Sequence, residues 1–252
     1  MKQFLNLAGK AKTNFTVSNK VVGGKRVAEV MCHGPVGDYY GSPDDITAPN
    51  FKAKLDACAP FDSILCRVSS PGGDSFEGVA IRSMLNSYGK HVHVHVDGLA
   101  ASAAATIASG GHKVTMSPGS LLMIHNASMP TYGNAKQLRD DADVLDKVSN
   151  SIADCYVDKT GLPKEKVQKM MDNETWMSAK DCVRNGFADE EGDLDGEGYT
   201  EEYEARVDEY KTIAASVYPK FSNKAIVEEP VEVEEKPDFS TLKAELDLFK
   251  SF

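Results

Sequence analysis

The sequence predicts an α/β fold with one sizeable core, in which strands and helices alternate along the chain. Residues 91–96 alternate strictly in polarity and residues 63–68 form a short, largely apolar run, and both patterns are typical of strands. Segments with helical spacing lie between such runs, and this alternation favours crossover connections. The 252 residues, 41% of them hydrophobic, suffice for one core and an appendage.

The other elements are predicted from the same local patterns. Strands are expected where apolar runs are bounded by turn-forming residues, over 27–31, 63–68, 91–96, 113–116 and 121–125. Helices are expected where apolar or small residues recur at helical spacing, over 51–57, 80–88, 101–109, 137–159, 164–171 and 178–185.

The helix predicted over 137–159 is unusually long. Leu138, Leu145 and Ile152 recur every seven residues on it, and this spacing places them on one face. We expect the helix to project from the core and to pack on a neighbouring subunit. The alternative is that it covers the sheet of its own subunit.

Composition divides the chain into four parts. Residues 1–24 are predicted to be a flexible arm, and residues 25–190 the core domain. Residues 191–238 are acidic and contain proline, which is typical of an extension and linker. Residues 239–252 carry apolar side chains on one helical face, which predicts a short amphipathic helix that either docks on a partner or folds back.

Charge and hydropathy exclude several classes of partner. The net charge is −10 and no basic cluster is present, so nucleic acid and anionic membranes are not expected partners. No run reaches about 18 apolar residues, and the N-terminal apolar run is too short for a signal peptide. The sequence therefore predicts a cytoplasmic protein.

No metal or other cofactor is expected. The five cysteines lack a C-x-x-C spacing, which favours free thiols in a reducing compartment. His91, His93 and His95 share one face of a predicted strand, where they are spread too far apart to bind a single ion. His33 and His112 adjoin glycines and are predicted to lie on the surface.

The strongest indication of chemistry is a serine among small residues. Ser102 lies within Gly-Leu-Ala-Ala-Ser-Ala-Ala-Ala, residues 98–105, where no large neighbour would shield its hydroxyl. His125 follows 23 residues later, at the end of the apolar run Leu-Leu-Met-Ile. An attacking serine needs a nearby base, and His125 is the best candidate for it.

A glycine turn supplies the third feature. Ser-Ser-Pro-Gly-Gly-Asp, residues 69–74, follows a predicted strand, and its paired glycines can turn their N–H groups outward. Backbone N–H groups of this kind suit an oxyanion. An ordinary turn between a strand and a helix is the simpler interpretation of Pro-Gly-Gly taken alone.

These three motifs resemble those of the ClpP serine peptidase family. The resemblance covers about residues 25–190 and includes Glu-Thr-Trp-Met-Ser-Ala at 174–179 and Gly-Phe-Ala-Asp at 186–189. Phage and prophage ClpP-like proteases have especially similar sequences in these two segments. In phages such enzymes act as head-maturation proteases, which cut scaffold and capsid precursors.

The resemblance implies a crotonase-like β-β-α superhelix and an assembly into homo-oligomeric rings. It implies Ser102 as nucleophile and His125 as general base of a serine endopeptidase that acts on polypeptides. The N–H groups of Ala103 and Gly73, with Gly72 as the alternative, would form the oxyanion hole. Housekeeping relatives dock an ATPase. This sequence carries no recognised nucleotide-binding motif, so any ATPase would be a separate chain. With an unperturbed imidazole, activity is expected to fall below about pH 6.5.

The carboxylate that would complete a catalytic triad with Ser102 and His125 is less well defined. The family usually has aspartate four residues before the Ser-Ala pair, and here that position is Glu174. Asp172 is the alternative, because either carboxylate could orient the imidazole. Trp176 is expected to anchor the core beside this carboxylate.

Three other functions remain open. A protease with a serine–lysine pair would use Lys147 or Lys159 as its base, which the Met-Ile-His motif disfavours. A degenerate relative could serve as a catalytically inactive assembly or scaffold protein. An acyl-CoA enzyme on the same fold is a more distant alternative.

Overall fold

One mixed sheet organises the computed structural model, which describes residues 13–194, 210–212, 214, 215 and 218. Among these residues it has eight strands, with the main path β1-β2-β3-β4-β5-β8 and with β6 and β7 branching from β4. The predicted amphipathic helix over 239–252 and most of the predicted extension over 191–238 lie outside the described residues.

A β-hairpin forms the outer edge of the sheet. Strand β1 (Asn14–Val22) pairs antiparallel with β2 (Lys25–His33), and the turn between them is Gly23-Gly24, both with positive φ. Two-residue turns of this kind match the twist of a hairpin. Residues 14–22 are ordered by pairing with β2, and Phe15 is fully buried against Phe51. The prediction of a flexible arm over 1–24 is therefore wrong for residues 14–22.

The centre of the sheet is parallel, as the alternation of strands and helices predicts. Strand β3 (Ser63–Ser70) lies between β2 and β4 (His91–Ala101), and β5 (Lys113–Met116) follows on the far side of β4. Helices α1 (Ala48–Cys58) and α2 (Ser75–Ser87) make the crossovers. The side chain of Asp74 caps α2 by accepting from the Phe76 and Glu77 N–H groups.

Strand β4 extends five residues beyond its predicted end at 96 and changes partner on the way. Its middle, from His93 to Val96, pairs with β5, whereas Leu99–Ala101 pairs in parallel with β6 (Leu121–Ile124). The small residues there form extended backbone because they are buried between neighbouring strands. The switch places the end of β4 beside the end of β6.

Two short strands complete the sheet, and neither is predicted from the sequence. Strand β7 (Thr175–Ser178) pairs antiparallel with β6, and β8 (Glu190–Glu191) pairs with β5. Runs of four and two residues are too short for a recognisable alternation. Three helices have near-predicted bounds, namely α3 (Ala103–Ala108), α5 (Lys164–Asp172) and α6 (Ala179–Asn185).

The long helix α4 (Ala135–Thr160) projects from the core, as expected. It begins with a capping box at Asn134 and ends at Gly161 in the left-handed conformation. Its buried residues all belong to its second half, from Ile152 to Tyr156, whereas Leu138 and Val144 in the first half are 41% and 49% exposed. None of the described helices is both long and apolar enough to cross a membrane.

A buried charged network fixes β4 to its neighbours. Both oxygens of Asp97 accept hydrogen bonds from Arg67, at 2.9–3.1 Å, and Asp97 Oδ2 lies 2.9 Å from His33 Nε2. His33 is fully buried, so the prediction that it lies on the surface is wrong. Its partner is 64 residues away in sequence, and only tertiary pairing offsets the cost of burying these charges.

Candidate active site

Ser102 occupies the turn between β4 and α3. Its φ of 56° and ψ of −123° are unusual for a residue with a side chain, and such conformations cluster at functional sites. Its N–H donates to the Met123 carbonyl of β6 at 2.9 Å. Its side chain does not cap α3. The Ser102 hydroxyl is therefore not engaged in capping the helix that follows it.

The turn requires glycine on two facing segments. A Cβ on Gly72 would lie 2.4 Å from the Ala101 carbonyl and 2.7 Å from Ser102 Cβ. A Cβ on Gly78 in α2 would lie 2.9 Å from the Ala103 carbonyl. All three distances are shorter than real Cβ contacts, so these glycines allow the 69–74 loop and α2 to approach residues 101–103 closely.

His125 directly follows β6 and contacts the serine. Its Nε2 lies 2.8 Å from Ser102 Oγ, which is ordinary hydrogen-bond distance. Parallel pairing of Ala101 with Met123 brings the two strand ends to the same edge. The structure thus brings together the two side chains that the sequence singled out, although 23 residues separate them.

Both residues expected to supply the oxyanion hole line the cleft beside Ser102. They are Gly73 and Ala103, and neither N–H has a hydrogen-bond acceptor among the described residues. The Gly72 N–H instead donates to Ser70 Oγ at 3.1 Å. Unsatisfied donors beside an attacking oxygen are suited to an oxyanion, which makes Gly73 a better candidate than Gly72.

The cleft beside Ser102 is partly open to solvent and has a volume of about 80 Å³. Beyond Ser102 and Ala103 its wall contains Ile152 and the hydroxyl pair of Thr106 and Tyr156, whose oxygens are 3.1 Å apart. The small Ala103 side chain leaves room on this side. The cleft is therefore lined by both apolar groups and hydroxyls next to the serine.

Burial changes the protonation of His125. Loss of contact with water lowers the pKa of its imidazole to about 4. The imidazole is therefore mostly neutral, and able to accept a proton, from about pH 5 upward. The sequence predicted that activity would fall below about pH 6.5. That prediction assumed an unperturbed imidazole, and the burial of His125 moves the expected fall to lower pH.

We expect peptide hydrolysis to remain near its neutral-pH rate at about pH 5 and to fall to half near pH 4, because only the neutral imidazole can take the serine proton. The measurement is kcat/KM for a short fluorogenic peptide across this range, with circular dichroism to verify that the chain stays folded. A midpoint near 6.5 would instead mean that His125 is hydrated in the working enzyme.

Neither candidate carboxylate contacts His125. The Glu174 carboxylate accepts from the Trp176 indole N–H at 3.2 Å, and Asp172 accepts from the Asn126 amide at 2.7 Å. No carboxylate of the described residues lies within hydrogen-bond distance of either His125 nitrogen. The identity of the third member therefore stays a prediction.

The two lysines of the serine–lysine alternative lie elsewhere. Lys159 forms an ion pair with Asp189 at 3.1 Å and also reaches the Gly111 carbonyl. Lys147 is exposed on α4. Neither lines the cleft around Ser102.

Sequence reasoning missed one residue at the site, Tyr218. It lies in the predicted linker, yet it is 5% exposed and its ring meets the His125 ring edge to face at 5.3 Å. Tyr210, Ala214 and Tyr218 are spaced four residues apart, which is a helical pattern that could have marked this segment as packed. The prediction of an acidic extension and linker over 191–238 is therefore wrong for these three residues, which are buried.

Comparison with known proteins agrees with this geometry. The family model for Clp protease matches residues 52–192, more than half of the chain. The chain is 35% identical over 168 residues to the ATP-dependent Clp protease proteolytic subunit of Streptococcus salivarius, covering 64% of this chain and 82% of that protein. It is 31% identical over 140 residues to the ATP-dependent Clp protease proteolytic subunit 1 of Chlamydia caviae, covering 54% and 73%. These matches confirm the resemblance seen in the motifs, and the chain belongs to the Clp protease family.

Proposed function

We propose that the chain is a serine endopeptidase in which Ser102 is the nucleophile and His125 the general base. The observation that carries this proposal is the 2.8 Å contact between Ser102 Oγ and His125 Nε2 on a strained turn. Family membership supports it independently.

The proposed reaction follows from the contacts. His125 Nε2 removes the hydroxyl proton while Ser102 Oγ bonds to the scissile carbonyl carbon, and the N–H groups of Gly73 and Ala103 bind the resulting oxyanion. His125 then returns the proton to the leaving amine as the peptide C–N bond breaks. A water molecule hydrolyses the acyl-enzyme by the same steps, which restores the serine.

Assembly and partners are part of the proposal. The exposed apolar residues Leu138 and Val144 on the projecting half of α4 suit packing against a second copy, which supports a ring that encloses the site. The relatives' names specify ATP dependence, and we propose that a separate ATPase delivers folded substrates. We place this activity in the cytoplasm.

We propose further that the natural substrates are scaffold and capsid precursors of a phage head. The support is the amino-acid sequence of segments 174–177 and 186–189, which resembles that of phage and prophage proteases. Incubating the purified chain with the capsid precursor from the same genome should yield discrete fragments. An uncut precursor would restrict the proposal to general proteolysis.

A fluorophosphonate probe tests the proposed nucleophile. We expect the probe to label the peptide that contains Ser102, and the His125→Ala chain to lose most of this labelling because the base is gone. Lys147→Ala and Lys159→Ala should label normally. Labelling retained in His125→Ala and lost in a lysine variant would favour a serine–lysine pair. No labelling in the wild-type chain would favour the inactive scaffold protein.

A further inference from the structure

A segment near the C-terminus packs on the candidate active site. Residues 210–212, 214 and 215 are helical, and Tyr210 and Ala214 are fully buried. Together with Tyr218 they contact an apolar surface that Leu99, Ala101 and Met123 form at the ends of β4 and β6. These are the strand ends that present Ser102 and His125. The segment therefore covers the machinery rather than a remote part of the core.

Tyr218 contacts the reacting groups themselves. Its hydroxyl donates to the Pro71 carbonyl at 2.9 Å, in the loop that carries Gly73. Its ring lies edge to face against His125 and, at 5.8 Å, against Trp176. Burial raises the pKa of Tyr218, and its interaction with Ser102 partly opposes this. One side chain thus contacts the base and the loop that carries Gly73, and it interacts with the nucleophile.

A substrate needs the same places. A peptide that Ser102 cleaves has to lie over the Ser102–His125 pair, and its leaving amine has to reach His125 Nε2. The Pro71 carbonyl beside them is an acceptor that an extended peptide could use, and the Tyr218 hydroxyl already occupies it. Because the segment belongs to the same chain, its effective concentration at the site is on the order of millimolar, so even a weak contact competes.

We propose that the segment carrying Tyr210, Ala214 and Tyr218 is a tethered competitive inhibitor, which covers Ser102 and His125 until a polypeptide displaces it. This inference rests on the proposed peptidase function. Because a tethered competitor reduces the fraction of chains open to substrate, it raises KM and leaves kcat unchanged. A tyrosine that only stabilised the fold would not raise KM while leaving kcat unchanged.

The test compares full-length wild-type, Tyr218→Ala and Tyr218→Phe chains on an unstructured fluorescent polypeptide. We expect Tyr218→Ala to lower KM about tenfold and Tyr218→Phe about threefold, with kcat nearly constant, because the phenylalanine keeps the ring and loses only the hydrogen bond to Pro71. Tyr132→Ala is the matched control, since Tyr132 is 96% exposed, and its KM should equal the wild-type value. A synthetic peptide of the sequence 208–220 should inhibit the Tyr218→Ala chain competitively.

Fluorophosphonate labelling and thermal unfolding separate the outcomes. An unchanged or higher KM for both Tyr218 variants, in folded chains whose Ser102 is labelled, overturns the inhibitor and leaves the peptidase intact. If Tyr218→Ala unfolds, Tyr218→Phe decides by the same criterion. Ser102 unlabelled in every chain, including Tyr218→Ala, overturns the peptidase itself and the inhibitor with it.

Discussion

Replacement of Ser102 by alanine is expected to reduce polypeptide hydrolysis by roughly 10³- to 10⁶-fold. The oxygen that would form the acyl bond, and that contacts His125 Nε2, is removed. The fold should tolerate the change, because Ser102 lies between Ala101 and Ala103 and its side chain does not cap α3. The measurement is kcat/KM on an unstructured polypeptide, together with the midpoint of thermal unfolding, which we expect to stay near the wild-type value.

Ser87→Ala is the matched control, because Ser87 is exposed at the end of α2 and bonds only locally to the Met84 carbonyl. It should retain full activity. If Ser102→Ala kept more than about a hundredth of the wild-type rate, another nucleophile would have to be sought, since loss of the acyl-forming oxygen cannot be that mild.

The meeting of Ser102 and His125 could be anticipated because each follows an apolar run. Such runs become neighbouring strands, and the carboxyl ends of parallel strands lie at one edge of a sheet. The local sequence was therefore enough to predict that Ser102 and His125 lie close together. The strained φ of Ser102 was not predictable in the same way, because it depends on how closely Gly72 and Gly78 approach.

Elements that depend on distant partners were the ones missed. Strand β1 is mixed in polarity, and its order comes from pairing with β2. The burial of His33 depends on Asp97, 64 residues away. Tyr218 contacts the Pro71 carbonyl across 147 residues, within a stretch whose acidic composition favoured a solvated linker. In each case tertiary contacts override the local pattern.

The register of β6 and β7 bears on the unassigned carboxylate. Ile124 pairs with Thr175, so one further step would place Glu174 opposite His125. Glu174 has a φ of 47°, a conformation that costs free energy and is uncommon outside turns and functional sites. Among the described residues its carboxylate accepts one hydrogen bond, the 3.2 Å contact from the Trp176 indole N–H, which is near the long end of the usual range. Asp172, by contrast, is held at 2.7 Å by Asn126.

We therefore expect Glu174→Gln to lower kcat by about 10²- to 10⁴-fold, because a neutral amide cannot stabilise the imidazolium that forms during attack. KM should change little, since the carboxylate does not line the cleft. Asp172→Asn is the matched comparison and should lower kcat less than about threefold, as Asn126 still finds an acceptor there. The reverse ranking would assign the role to Asp172. Near-normal kcat in both variants would mean that His125 works without a carboxylate.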